Sequence, residues 1–152
     1  MSNFHPNTQS NFQNLLDEGK FIEFCEKMMN QKGIPITNKM KNPEMIDLEK
    51  KEELNFEELK LAAQWAAVLV KNGFKMSGLR KIYEMISSSK DLLRIRFVLA
   101  YEVGRKKEFR EFGKFLEDIL NKIQNDFSKV EKIKIFLEAV IAYHKLINPK
   151  EN

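Results

Sequence analysis

The groups in this 152-residue chain that could do covalent or acid–base chemistry are two histidines, one cysteine and a run of carboxylates. Their spacing assembles no catalytic set. His144 sits among apolar positions of the last helical segment with no nucleophile beside it, and His5 is in a terminus expected to fray. Cys25 falls on the apolar side of its segment with no nearby His, so it reads as a small buried hydrophobe. One cysteine cannot form an internal disulfide or a multi-cysteine zinc cluster, and two histidines are too few for a His-rich site, so neither metal nor other cofactor is expected. Glu52, Glu53, Glu57 and Glu58 are dense, but they lie where helix N-termini favour negative charge and read as a solvated face. A Gly-rich phosphate loop, a G-x-S-x-G elbow and an H-E-x-x-H pair are absent, as is an Arg followed at short helical spacing by His. No catalytic residue is assigned, and the chain reads as a non-enzyme.

The chemistry these residue types do suggest is anion binding. Residues 71–114 hold 12 basic and 5 acidic groups, whereas residues 1–70 hold 8 and 11, so the net charge of +4 conceals a basic middle. Such a concentration suits a polyanion, although a solvated helix face would give the same count. Ser77 can cap a helix whose first turn then carries Arg80 and Lys81 with no acid, at the end where the macrodipole disfavours cations by about 0.3 to 1 kcal/mol. A phosphate held there by exposed N–H groups and Arg80 would remove the conflict, while simple pairing of Arg80 with Glu84 is the plainer alternative. Further on, Arg94, Val98, Tyr101 and Arg105 fall on one helical stripe, two guanidiniums flanking a ring that could stack on a base. Arg105 to Lys107 equally suit a helix C-terminus, and Tyr101 could be core.

Positioning such groups falls to helices. Between Pro43 and Pro149 there is no proline, and apolar residues there recur at helical spacing. We read an all-α protein, a compact bundle of about five to seven helices. A helical region over about residues 9–31, with Gly19 a possible break, leads into a linker from Lys32 to Pro43 and a short charged helix from Glu44 to Leu54. The next helix, Phe56 to Asn72, opens on Asn55 with Glu58 three residues on and closes on Gly73. Its polar stripe of Glu57, Gln64 and Lys71 is so narrow that it must be covered on several sides. Helices from Gly78 to about Ser88, Leu92 to about Arg105 and Glu108 to Gln124 follow. The run Ile95 to Tyr101 is readable as a buried strand, but without turn signals around it helix is the better reading. Ser128 and Glu131 form a capping box for the last helix, to about Ile147, with a second apolar stripe of Ile135, Ala142 and Leu146. Two-faced helices of this kind predict self-association.

Length fits one helical domain, residues 1–152, with 1–43 an N-terminal region and linker and 44–147 the core. A 43% hydrophobic, 32% charged composition is that of a soluble globular chain. The longest apolar run, Leu61 to Val70, is broken by Gln64 and is far short of the roughly 20 residues a membrane span needs. With neither a basic nor an apolar leader segment at the start, a cytoplasmic address is expected.

From about Phe74 to Ile147 the chain resembles the small helical subunit of type III-A (Csm) CRISPR effector complexes. The likeness rests on Leu79-Arg80-Lys81-Ile82, on Ile95-Arg96-Phe97 leading to Tyr101-Glu102-Val103-Gly104-Arg105, and on Phe136-Leu137-Glu138-Ala139 with Ala142-Tyr143. It implies a non-catalytic RNA-binding subunit, stacked in several copies as an inner filament beside the other subunits, that supports target RNA paired with guide RNA. By that resemblance Arg80 and Arg105 are RNA contacts. Charge and helix geometry add Lys75, Lys81, Arg94 and Lys106, and stacking adds Tyr101. A small helical adaptor that binds only protein explains the same apolar faces. A helix-based DNA-binding regulator fits less well, because the basic residues spread over several helices.

Overall fold

Asn55 begins the central helix as its spacing predicts: its side chain accepts from the Glu58 N–H at 2.8 Å, and the Glu58 carboxylate accepts from the Asn55 N–H at 2.9 Å. That capping box starts a helix rich in alanine and leucine, and Gly73, at φ +86°, ends the turn beyond it in the left-handed region. The computed structural model describes residues 6–150, with side chains from residue 11. His5 lies outside them. The helices are α1 Pro6–Asp17, α2 Phe21–Met28, α3 Phe56–Lys71, α4 Met76–Ser88, α5 Leu92–Arg105, α6 Arg110–Ile123 and α7 Val130–Ile147. No strand occurs among the described residues, so the all-α reading and the helix assigned to the Ile95 run both hold.

α3 lies at the centre. Its main partner is α7, which also packs on α4 and α2, while α5 lies chiefly on α6. One continuous apolar core runs from Leu15 to Ile147. Within it Trp65 stands 5.5 Å from Phe115 and 5.2 Å from Phe112, ring to ring, and its indole N–H donates to the Met40 carbonyl at 3.0 Å. The 32–43 linker is thereby held over the tryptophan, satisfying the one polar atom of a side chain with no solvent exposure.

Several expectations are corrected. The segment from Glu44 to Leu54 is not a helix; it contains one 3-10 turn, Pro43–Met45, and then irregular chain. Its backbone groups are bonded elsewhere. Lys132, fully buried, donates to the carbonyls of Lys50 at 2.9 Å and Glu53 at 2.7 Å and pairs with the Glu58 carboxylate at 2.8 Å. The other Glu58 oxygen accepts from the Asp47 N–H at 2.7 Å. Glu58 therefore belongs to a buried clamp, not to a solvated face. α4 begins at Met76 rather than after Ser77, because burying both Phe74 and Met76 requires the chain to turn into helix there; Lys75 stands at the cap and makes no side-chain bond. Nor do Ser128 and Glu131 form a capping box. A 3-10 turn, Phe127–Lys129, precedes α7, and Asp126 accepts from the Ser128 N–H at 3.1 Å. Of the two-faced helices, α3 is buried on nearly every side, whereas the second stripe of α7 is only partly covered, with Ile135 and Leu146 half-buried and Ala142 exposed.

Candidate functional site

Two chain junctions meet at one end of the bundle. Phe74, between α3 and α4, stacks on Phe109, between α5 and α6, with ring centroids 5.0 Å apart. His144 of α7 holds the first junction from below, its Nε2 2.8 Å from the Phe74 carbonyl oxygen, and its other ring nitrogen is buried without a partner. Gly78 makes the close approach possible: a Cβ there would lie 2.8 Å from the Phe74 ring. Between the junctions opens a cavity of about 610 Å³.

Lys75, Lys81, Arg105 and Lys106 line this cavity together with Ser77, Gly78 and Glu108. Four of the seven residues predicted from the sequence thus converge on one place, from opposite ends of two helices. The start of α4 contributes the positive end of its dipole, and its N-cap residue, Lys75, makes no side-chain capping bond. Glu102 organises the cations. Its side chain is 4% exposed, and its two oxygens hold Lys81 and the Arg105 guanidinium at 3.1 Å each. Burial works to raise the Glu102 pKa, but hydrogen bonds and charge from Lys81 and Arg105 outweigh it and hold the carboxyl below its usual range. The ammonium and guanidinium remain about half exposed, oriented but still open to a ligand. Such a concavity can take a phosphate, with Arg105 as a bidentate fork and the lysines as point charges.

The remaining predicted residues lie apart. Arg80 is exposed in the second turn of α4 and does not line the cavity; with α4 starting at Met76 it is no longer a first-turn cation, and no ion pair to Glu84 is formed among the described residues. Arg94 and Tyr101 are exposed on the outer stripe of α5, and Tyr101 is 65% exposed rather than core. Sequence reasoning assigned no role to Glu102. A signal existed: on the helical wheel it falls beside Ile95 and Leu99, the buried arc, three residues before Arg105.

Cys25 and the carboxylates offer no second site. Cys25 is fully buried, and burial, helped by Glu26, pushes its thiol up to about 12. Among the described residues no three His, Cys, Asp or Glu side chains are grouped to hold a metal ion, and no helix is long and apolar enough to cross a membrane.

Comparison with models of protein families matches residues 53–150 to the one described as Csm2 Type III-A. That span includes α3 to α7 whole, and so begins about one helix upstream of where the sequence resemblance starts. Curated proteins and solved structures give no match. Since the matched span is well over half of the chain and contains both walls of the basic cavity, the chain belongs to the Csm2 type III-A family, the small subunits of type III-A CRISPR effector complexes.

Proposed function

We propose that this subunit is a non-catalytic RNA-binding component that supports guide RNA and its paired target RNA through the phosphate backbone, as one of several copies in an inner filament against the other subunits. The observation that carries the reading is the convergence of Lys75, Lys81, Arg105 and Lys106 on a single cavity at the start of α4. Cations brought together against their own repulsion are stabilised by a polyanion, and a helix N-terminus is already suited to phosphate. Arg80, on the residue before Lys81, extends the same charge along α4. Recognition through backbone charge is nearly indifferent to sequence, because the bundle offers no base-reading sheet. A reading as a protein-only adaptor draws support from one feature, the exposed apolar face of α5 that carries Tyr101 and lies beside Arg94. That face and the cavity serve different partners.

Titration of labelled single-stranded RNA over a salt series tests this. Each phosphate contact removed lowers the salt slope by about 0.7, so Arg105→Ala and Lys106→Ala each flatten it by about that amount and weaken unrelated RNAs alike. A variant that altered preference between sequences while keeping the slope would overturn the assignment. Incubated with magnesium or manganese, the purified protein leaves the RNA uncut; cleavage that copurified with it and vanished on one substitution would end the non-catalytic reading.

A further inference from the structure

By charge count alone Glu102 is out of place, because an acid beneath a basic cavity lowers its attraction for an anion. Yet Glu102 faces inward from α5 with Ile95 and Leu99, its side chain buried, and each of its oxygens engages a different cation. Oε1 meets Lys81 on α4 and Oε2 meets Arg105 on its own helix, both at 3.1 Å. α4 packs chiefly on α7 and α5 chiefly on α6. This carboxylate therefore ties together two walls of the cavity that the rest of the bundle carries separately.

We propose that Glu102 is a positioning residue for RNA: it holds Lys81 and Arg105 in the arrangement a phosphate takes, and so strengthens binding although it lowers the positive charge of the site. The inference rests on reading the cavity as the RNA site. Both cations end long side chains, Lys81 56% and Arg105 42% exposed, which without a shared partner would repel each other and sample many rotamers. Ordering one such side chain at the moment of binding weakens a complex by about two- to tenfold. Here the ordering is done in the free protein. The carboxylate takes only part of what the cations offer: Arg105 engages it through Nη2 and Lys81 through a single contact. A guanidinium has five N–H donors and an ammonium three, so the outward ones remain for a ligand. The same two cations hold the carboxyl below its usual range, which keeps it ionised at neutral pH. Its own repulsion of a phosphate is weak by comparison, since it lies behind the two cations it pairs with and the site is open to screening salt.

The test titrates labelled single-stranded RNA into the full chain as parent, Glu102→Gln, Arg105→Ala and the double variant, at physiological salt. Charge count and positioning predict opposite signs. Glu102→Gln adds one positive charge to the site and keeps the shape of the side chain, yet it is expected to bind RNA about three- to tenfold more weakly, because the amide has one acceptor oxygen where the carboxylate has two. It also costs less in the Arg105→Ala background than alone, since part of its effect runs through Arg105. Equal or tighter RNA binding by Glu102→Gln, with Arg105→Ala still weakening it, overturns the inference and leaves the proposed function standing. So do losses that simply add. A parent that binds no RNA, or binding indifferent to Arg105→Ala, removes the proposed function and this inference with it. Should Glu102→Gln melt below the assay temperature, the parent alone decides, through nuclear magnetic resonance of its side-chain nitrogens without RNA. Restricted motion of the Lys81 ammonium and Arg105 guanidinium is expected, and free rotation of both overturns the inference.

Discussion

Lys132 is a lysine whose side chain is shut off from solvent. Its ammonium has three acceptors, the Glu58 carboxylate and the carbonyls of Lys50 and Glu53, and its side chain is fully buried. Burying an ion is costly unless its partners are complete, and here they are, so removing one end strands the other. Lys132→Met is expected to cost about 3–5 kcal/mol in urea unfolding, and Lys132→Met with Glu58→Gln less than the sum of the two single changes. Additive losses would show that the pair is not coupled. The clamp was partly legible: Lys132 precedes Phe136 and Val140 at steps of four, a cation on an apolar stripe. Its acceptors were not, since two are backbone carbonyls some 80 residues away in a segment with no pattern of its own. Glu102 repeats the lesson at the cavity. A charged residue on a buried arc announces a partner, but the chain alone names only the one at helical spacing, Arg105, and not Lys81 on the neighbouring helix.

Elements were readable where local rules agreed with packing. α3 satisfied its capping box, its apolar period and its terminal glycine together, and its limits fall within one residue of those the spacing predicts. Where a cap residue competed with burial, burial won. Ser77 has the chemistry of an N-cap, yet Phe74 and Met76 pull the start of α4 forward and leave Ser77 as its second residue. The two helices therefore respond differently to loss of the side chain their sequences offer as a cap. Asn55→Ala is expected to cost about 1 kcal/mol, against no more than about 0.5 kcal/mol for Ser77→Ala, in thermal or denaturant melts. Equal losses would mean that Ser77 does cap α4. For the same reason Arg80→Glu gains nothing from a capping box, because Arg80 is in the second turn. The charged segment from Glu44 to Leu54 failed as a helix because tertiary partners took its backbone groups, which no local propensity can report.

At the scale of the whole molecule, the charge asymmetry visible in the sequence becomes a place. Residues 71–114 form α4, α5 and the start of α6, and their cations gather where the two junctions meet. In the N-terminal part, acidic by count, glutamates at α2 and the turn before it are paired with lysines, Glu23 with Lys27 and Glu18 with Lys20. What the sequence could not reveal is that α3 buries its second face within the chain while α5 turns an apolar stripe outward, where Leu93 and Phe97 oppose Ile95 and Leu99. The proposed function puts RNA at the cavity lined by Lys75, Lys81, Arg105 and Lys106. Ultraviolet cross-linking of the assembled complex to target RNA, with the linked peptides mapped by mass spectrometry, tests it most directly. Cross-links concentrated in residues 72–81 and 104–108 are the expected result, and cross-links confined to α1, α2 or the 44–54 segment, with the cavity residues unmodified, would contradict it.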